Sequence, residues 1–218
     1  ARMVAVADGV GGRAAGEVAS RTVIDALAHM EKSRLSGPLD AALQTAVTAG
    51  NETIAFIADC RPQTAGMSTT LTAVALDDDY AIANIGDSRT YLCRDGILAQ
   101  LTRDDSFIQM LIDSGDLDAE GARTHPQRSL VMEVLDGHPR RSATVALHPA
   151  RAGDRLLLCS DGLSDLVDDE ALRDALAIAS RERCADALVQ LALAAGGRDN
   201  VSVIVADVVA VDGPTGWD

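Results

Sequence analysis

The spacing of the apolar residues changes at Ser68, and that change limits what this chain can fold into. Before it, Val18, Val23, Leu27 and Met30 recur at helical intervals. Leu39, Leu43, Val47, Ile54 and Ile57 then fall on one face of a second helix, with Pro38 suited to its first turn. After Ser68, the runs STTLTAVAL, AIANIGD and TYLCRDGILAQL are Thr-rich and β-branched, which predicts a β-meander whose last hairpin turns at Asp95-Gly96. Strand signals return in SATVALH and RLLLCSD, two helical stretches follow (DDEALRDALAIA and RERCADALVQLALAA), and VSVIVADVV reads as a last strand. With MVAVA as a first buried strand, the order is strand, two helices, strands, two helices, strand. Without βαβ alternation or a repeat, that order predicts an α+β sandwich with β-sheets inside and paired helices outside.

Between these elements, 102–128 turns polar around the short helical stretch SFIQMLIDS and reads as a flap inserted in a domain spanning 1–210. The Gly/Pro-rich tail 211–218 reads as a linker. Only five of the 218 residues are aromatic, so the core must be built from Val, Leu, Ile and Ala. The 33 acidic and 19 basic side chains leave a net charge of −14, which excludes nucleic-acid binding by phosphate neutralisation and disfavours an anionic membrane surface. No apolar run is long enough to span a bilayer, and the start carries no secretory signal. Cys60, Cys93, Cys159 and Cys184 lie far apart without zinc spacing and read as reduced, mostly buried thiols of a cytoplasmic protein.

Chemistry is suggested where acids stand at strand ends. Asp8 and Asp161 each follow an apolar strand directly and precede a glycine, and Asp199 stands just before the last strand. Carboxylates gathered this way must share protons or a cation, and their hard oxygens select magnesium, manganese or calcium over zinc. The plainer reading is a turn, because Asp-Gly is a common hairpin signal and occurs five times here. Asp95-Gly96, Asp136-Gly137 and Asp212-Gly213 are read as turns alone. Asp8-Gly9 differs in running through Gly11-Gly12 into a helix with no second strand, and Asp161-Gly162 also runs into a helix. A phosphate-cradling loop is weakly supported, since D-G-V-G-G has neither the P-loop nor the dinucleotide spacing. A glycosidase would want aromatic platforms that the chain lacks.

Taken in order, VADGVGG (6–12), GMSTTLTA (66–73), NIGDSR (84–89), LLLCSDGLSD (156–165) and GGRDNVSVIV (196–205) resemble the type 2C, or PPM, metal-dependent Ser/Thr protein phosphatases. HPQRSL (125–130) and RDD (103–105) bring the resemblance nearest to actinobacterial members. The resemblance implies a central β-sandwich of two antiparallel sheets flanked by helix pairs, and two Mn2+ or Mg2+ ions with a third in some bacterial members. It implies that Asp8 bridges two metals with the Gly9 carbonyl on one, that Asp161 and Asp199 ligate the second, and that Asp87, Asp161 and the Ser129 carbonyl hold the third. The implied reaction is attack on phosphoserine or phosphothreonine by a metal-activated water, with Asp8, Asp161 and Asp199 as the catalytic carboxylates. The implied partners are phosphorylated proteins and the Ser/Thr kinases that make them, and the enzyme is expected to be a monomer. The alternative is an inactive pseudophosphatase that keeps the fold as a binding module.

Some positions depart from the family pattern. The family's opening strands, with an Arg and an Asn-(Glu/Asp)-Asp run, precede the strand at Met3, and this sequence starts after them, so weaker phosphate binding is expected of the chain as written. Val10 stands where eukaryotic relatives carry a histidine considered a general acid. Arg13 is read as a solvated helix-entry charge rather than an extra phosphate contact, His125 as structural, Asn200 as a hydrogen-bond partner that orients Asp199, and Ser68, Thr69 and Thr70 as strand residues beside the site.

Overall fold

The computed structural model describes residues 3–10, 14–33, 38–118, 121–122 and 125–210. Strand β1 is Met3–Val6, β2 is the two-residue Gly9–Val10, and helices α1 (Ala14–Ser33) and α2 (Leu39–Cys60) follow. The strands β3 (Ser68–Thr69), β4 (Leu71–Leu76), β5 (Asp79–Ile85), β6 (Arg89–Arg94) and β7 (Ile97–Gln100) lead to the flap helix α3 (Phe107–Ser114). Next come β8 (Thr144–Pro149), β9 (Arg155–Cys159), α4 (Asp161–Ser164), α5 (Asp169–Leu176), α6 (Arg181–Ala194) and β10 (Val203–Asp207).

Two antiparallel four-stranded sheets face each other, ordered β1-β4-β5-β8 and β10-β9-β6-β7. Side-chain alternation sorts the aliphatic residues into three apolar layers. Ala73, Ala75, Ala81 and Ala83 face α1 and α2, where Val23, Leu27, Leu43, Val47 and Ile54 are buried against them. The small methyl side chains let both helices sit close on the sheet. On the opposite face, Val6, Val74, Tyr80 and Ile82 meet Leu92, Leu156 and Leu158 of the other sheet. The third layer joins Tyr91, Leu157 and Cys159 to Leu163, Leu172, Leu176, Cys184 and Leu188 of α4, α5 and α6. Sheets covered on both faces explain why LTAVAL and RLLLC read as nearly continuous apolar runs.

The expected α+β sandwich with flanking helix pairs is therefore present, with local corrections. The predicted meander is divided, since β4 and β5 pair in one sheet and β6 and β7 in the other. The chain changes sheets at the corner Gly86-Asp87-Ser88, where Gly86 has φ +97° and a Cβ there would lie 2.7 Å from Thr70 Cγ2. Only glycine fits both that conformation and that contact. Gly9–Val10 does meet a second strand, pairing with Ser68–Thr69. Asp95-Gly96 is the expected plain turn. Asp136-Gly137 is more than a turn, because Asn51 of α2 accepts the Gly137 amide at 2.8 Å and donates to the His138 carbonyl at 3.0 Å, docking that loop onto the helix. Asp212-Gly213, Arg13 and the linker 211–218 lie outside the described residues.

All four cysteines are free, with Cys159 and Cys184 buried, Cys93 half-buried and Cys60 exposed, so half rather than most are buried. No helix among the described residues is long and apolar enough to cross a membrane.

Candidate metal centre

One end of the sandwich gathers the strand-end acids. Antiparallel pairing brings Asp8 beyond β1, Asp87 between β5 and β6, Asp161 after β9 and Asp199 before β10 to that same end. Asp8 is fixed through its backbone: its N–H donates to Thr70 Oγ1 at 3.1 Å, and its carbonyl accepts from the Thr70 N–H and the Thr69 hydroxyl, both at 2.8 Å. Asp199 is exposed, and one of its carboxylate oxygens accepts from the Asn200 backbone N–H at 2.8 Å. Asn200 therefore orients Asp199 through its backbone, where the sequence had suggested a more general hydrogen bond.

Asp161 opens α4 at a close crossing. A Cβ on Gly162 would stand 2.2 Å from the Asn200 carbonyl oxygen, which also accepts from the Ser160 hydroxyl at 3.2 Å. Glycine at 162 thus lets the Asp161 and Asp199 segments meet. Gly162→Ala is expected to push them apart, costing about 1–3 kcal/mol of stability and most of any activity that needs both acids. Thermal unfolding and turnover measured on the same preparation check this.

The acids shift one another's ionisation. Burial, then the charge of Asp199, raises the Asp8 carboxyl above its ordinary range, although the Asp161 carboxyl is near enough to hydrogen-bond with it. Asp161 is pushed up to about 6 by burial and by Asp8, Asp165 and Asp199. Asp87, only 8% exposed, is pushed up to about 7 by burial and by Asp161 and Asp104. Ser129 is exposed, and its hydroxyl lies 3.5 Å from Asp165, the neighbour that joins it to the Asp87–Asp161 side. The predicted residues thus form one connected group, with Asp8, Asp161 and Asp199 at one end and Asp87 and Ser129 at the other.

Two acids were not singled out from the sequence. Asp165 stands in DGLSD, and Asp104 stands in the RDD run and holds Arg89 through both of its oxygens at 2.6–3.0 Å. Arg89 also donates to the Tyr91 hydroxyl at 3.1 Å. Asp87, Asp104, Asp165 and Arg89 border a cavity of about 330 Å3 whose far wall is α3. Main-chain bonds from the Phe107 N–H to the Leu130 carbonyl and from the Met132 N–H to the Asp105 carbonyl close the base of the segment that carries α3. His125 belongs to the flap, accepting from the Gln127 N–H at 3.1 Å with its ring 6.0 Å from Phe107.

Every donor in the group is a hard oxygen, which suits Mg2+ or Mn2+ and not zinc. Among the described residues no three acidic, histidine or cysteine side chains close on a single point. A small hard cation there would keep water in part of its shell, which is the usual habit of Mg2+. The raised carboxyls also give a sign. An acid raised on folding stabilises the fold while protonated and withdraws that support as pH rises through its folded value. Chelated protein is therefore expected to lose about 2–3 kcal/mol between pH 5 and pH 8 from Asp87 alone. Asp87→Asn should flatten that slope in thermal unfolding at several pH values.

This sandwich, with acids gathered at one end, points to the class. The chain belongs to the protein phosphatase 2C family, whose model matches residues 1–195. It is 52% identical over 213 residues to the serine/threonine protein phosphatase PstP of Mycobacterium tuberculosis, covering 97% of this chain but only 41% of that protein. The crystal structure of the M. tuberculosis enzyme superposes with a TM-score of 0.92 at 51% identity, over 96% of this chain and 89% of that one. A structure of the PstP catalytic domain in complex with two manganese ions gives 0.89 at 50% identity, over 96% and 88%.

Proposed function

We propose that this chain is a metal-dependent protein phosphatase that hydrolyses phosphoserine and phosphothreonine in proteins. The observation that supports the reading is that Asp8, Asp87, Asp161 and Asp199 stand at strand ends on one end of the sandwich, near enough to shift one another's ionisation. The family membership and the manganese complex of PstP support it.

In this reading Asp8, the Gly9 carbonyl, Asp161 and Asp199 would hold two Mn2+ or Mg2+ ions, and Asp87, Asp161 and the Ser129 carbonyl a third. Bound there, the ions would acidify a water molecule and neutralise the phosphate dianion. The rest of the work falls to the chain. The Thr69 hydroxyl and the Thr70 N–H and hydroxyl hold the Asp8 backbone, the Asn200 amide holds Asp199, and Gly162 lets the Asp161 and Asp199 segments approach. Val10 offers no proton beside Gly9, so the departing seryl or threonyl oxygen takes its proton from another group. Residues 1–210 form the catalytic unit, with 102–128 as the flap and 211–218 as a linker. The enzyme acts as a monomer in the cytoplasm on phosphorylated proteins, opposing the Ser/Thr kinases that make them.

The test is hydrolysis of p-nitrophenyl phosphate and of a phosphothreonine peptide, with Mn2+ and with chelator. Turnover that appears with Mn2+ and vanishes with chelator is expected. Mn2+ bound without turnover would leave a binding module of the same fold.

A further inference from the structure

Among the buried polar groups of the sandwich interior, a two-rung ladder of hydroxyls crosses between the sheets near the site. Thr72 Oγ1 and Thr90 Oγ1 lie 2.7 Å apart, and one rung nearer the acids Thr70 Oγ1 and Ser88 Oγ lie 2.8 Å apart. Ser88, Thr72 and Thr90 are fully buried, and Thr70 is 2% exposed. The two rungs have different neighbours. The Thr72–Thr90 pair makes no hydrogen bond to any acid of the site, whereas Thr70 Oγ1 also accepts the Asp8 N–H at 3.1 Å, and Ser88 is joined by a peptide bond to Asp87. The Asp8 carbonyl returns to the Thr70 N–H at 2.8 Å, so the Asp8 peptide is held on both its polar atoms by one residue. Gly86 presses on the same side chain, with the position of a Cβ only 2.7–2.8 Å from Thr70 Cγ2 and Cβ.

A chain of contacts therefore runs from Asp8 through Thr70 to Ser88 and Asp87, joining the two ends of the acidic group across the gap between the sheets. We propose that Thr70 and Ser88 are positioning residues that fix the Asp8 peptide against the Asp87 corner, and so keep the acids at the spacing cations need. This rests on the metal-dependent reading above. A buried threonine hydroxyl that bonds both a site peptide and the facing sheet can transmit a shift of one end to the other, because the fully buried Ser88 has no water to turn to instead. A purely structural hydroxyl pair would add stability and nothing more, and the inner rung supplies that comparison within the same molecule.

Thr70→Val keeps the shape of the side chain and leaves the Asp8 N–H without its acceptor. It is expected to weaken Mn2+ binding, measured by calorimetric titration, by about 10- to 100-fold, and to speed amide hydrogen exchange at Asp8 in chelated protein at least about tenfold. Thr70→Ser should restore both to within about threefold. Ser88→Ala should move both in the same direction by a smaller factor, and it carries the test if Thr70→Val does not fold. Combining Thr70→Val with Ser88→Ala should give less than the product of the two single effects, as coupled groups do. Thr72→Val should lower thermal stability without changing Mn2+ affinity. Equal effects of Thr70→Val and Thr72→Val on Mn2+ affinity, multiplying single effects, or failure of Thr70→Ser to rescue would each overturn the proposal. Wild-type protein that takes up no Mn2+ would refute the metal reading instead, and the exchange rate at Asp8 would still judge the positioning role.

Discussion

Asp161→Asn is expected to reduce Mn2+-dependent turnover by more than about a hundredfold while leaving the chelated protein at least as stable as the unmodified one. Both halves follow from where Asp161 stands. It is the acid that the others meet: Asp8, Asp165 and Asp199 all raise it, and it raises Asp87 in turn. Removing its charge removes an oxygen proposed for the second and the third cation and also relieves repulsion that burial makes costly. Asparagine keeps the size of the side chain, so Gly162 and the Asn200 carbonyl can stay in contact. The check is turnover against Mn2+ concentration together with thermal unfolding in chelator. Lost activity with a lower melting temperature would mean that Asp161 serves the fold rather than the chemistry.

How much of this could be read from the sequence varies with how local the cause is. Asp8 and Asp161 were legible because each ends an apolar strand and precedes a glycine, a pattern contained in a few residues. The helix boundaries near Pro38 and the hairpin at Asp95-Gly96 were legible for the same reason. The division of the meander was not, because a strand that turns back in its own sheet and one that crosses to the facing sheet show the same alternation. What distinguishes them is the packing of Gly86 against Thr70, sixteen residues earlier in the chain. Asp104 and Asp165 escaped notice because their partners come from the flap base, a strand and a helix turn. Thr70 and Thr72 looked like ordinary strand residues, since β-branching alone accounts for threonine in a strand. Their inward hydroxyls gain meaning only from Ser88 and Thr90 on the other sheet.

The largest loss of stability is expected from Asp154→Ala, at the end of the sandwich away from the acids. Asp154 is 1% exposed, and it accepts from the Tyr80 hydroxyl at 2.5 Å, from Arg94 at 2.6 and 2.7 Å, and from the Arg151 N–H at 2.8 Å. Tyr80 lies on β5 and Arg94 on β6, so one carboxylate joins the two sheets. Burial raises its carboxyl, but the hydrogen bonds from Arg94, Tyr80 and the Arg151 amide outweigh that and hold it below its ordinary range. Cutting it back to alanine leaves a buried tyrosine hydroxyl without its acceptor and removes the carboxylate that pairs with Arg94, which keeps the Pro149 carbonyl at 2.8 Å. Leaving the buried Tyr80 hydroxyl without an acceptor and losing the bonds to a charged carboxylate costs about 3 kcal/mol, or roughly 10 °C in melting temperature for a chain of this size, while Arg94, a quarter exposed, can turn to water. Turnover per folded molecule should be unchanged below that melting point, because the strands carry the site at their other ends. The sign of the pH dependence separates the two ends. Asp154, lowered on folding, supports the fold above its unfolded value and withdraws as pH falls through its folded one, whereas Asp87 and Asp161 withdraw as pH rises through about 7 and 6. Chelated protein should therefore be most stable at about pH 4 and lose stability steadily from there to about pH 7. Asp154→Ala should lessen the acid-side fall, which Asp207 shares because Arg155 holds its carboxyl below the ordinary range, and leave the alkaline-side one; thermal unfolding from pH 3 to pH 8 would show both.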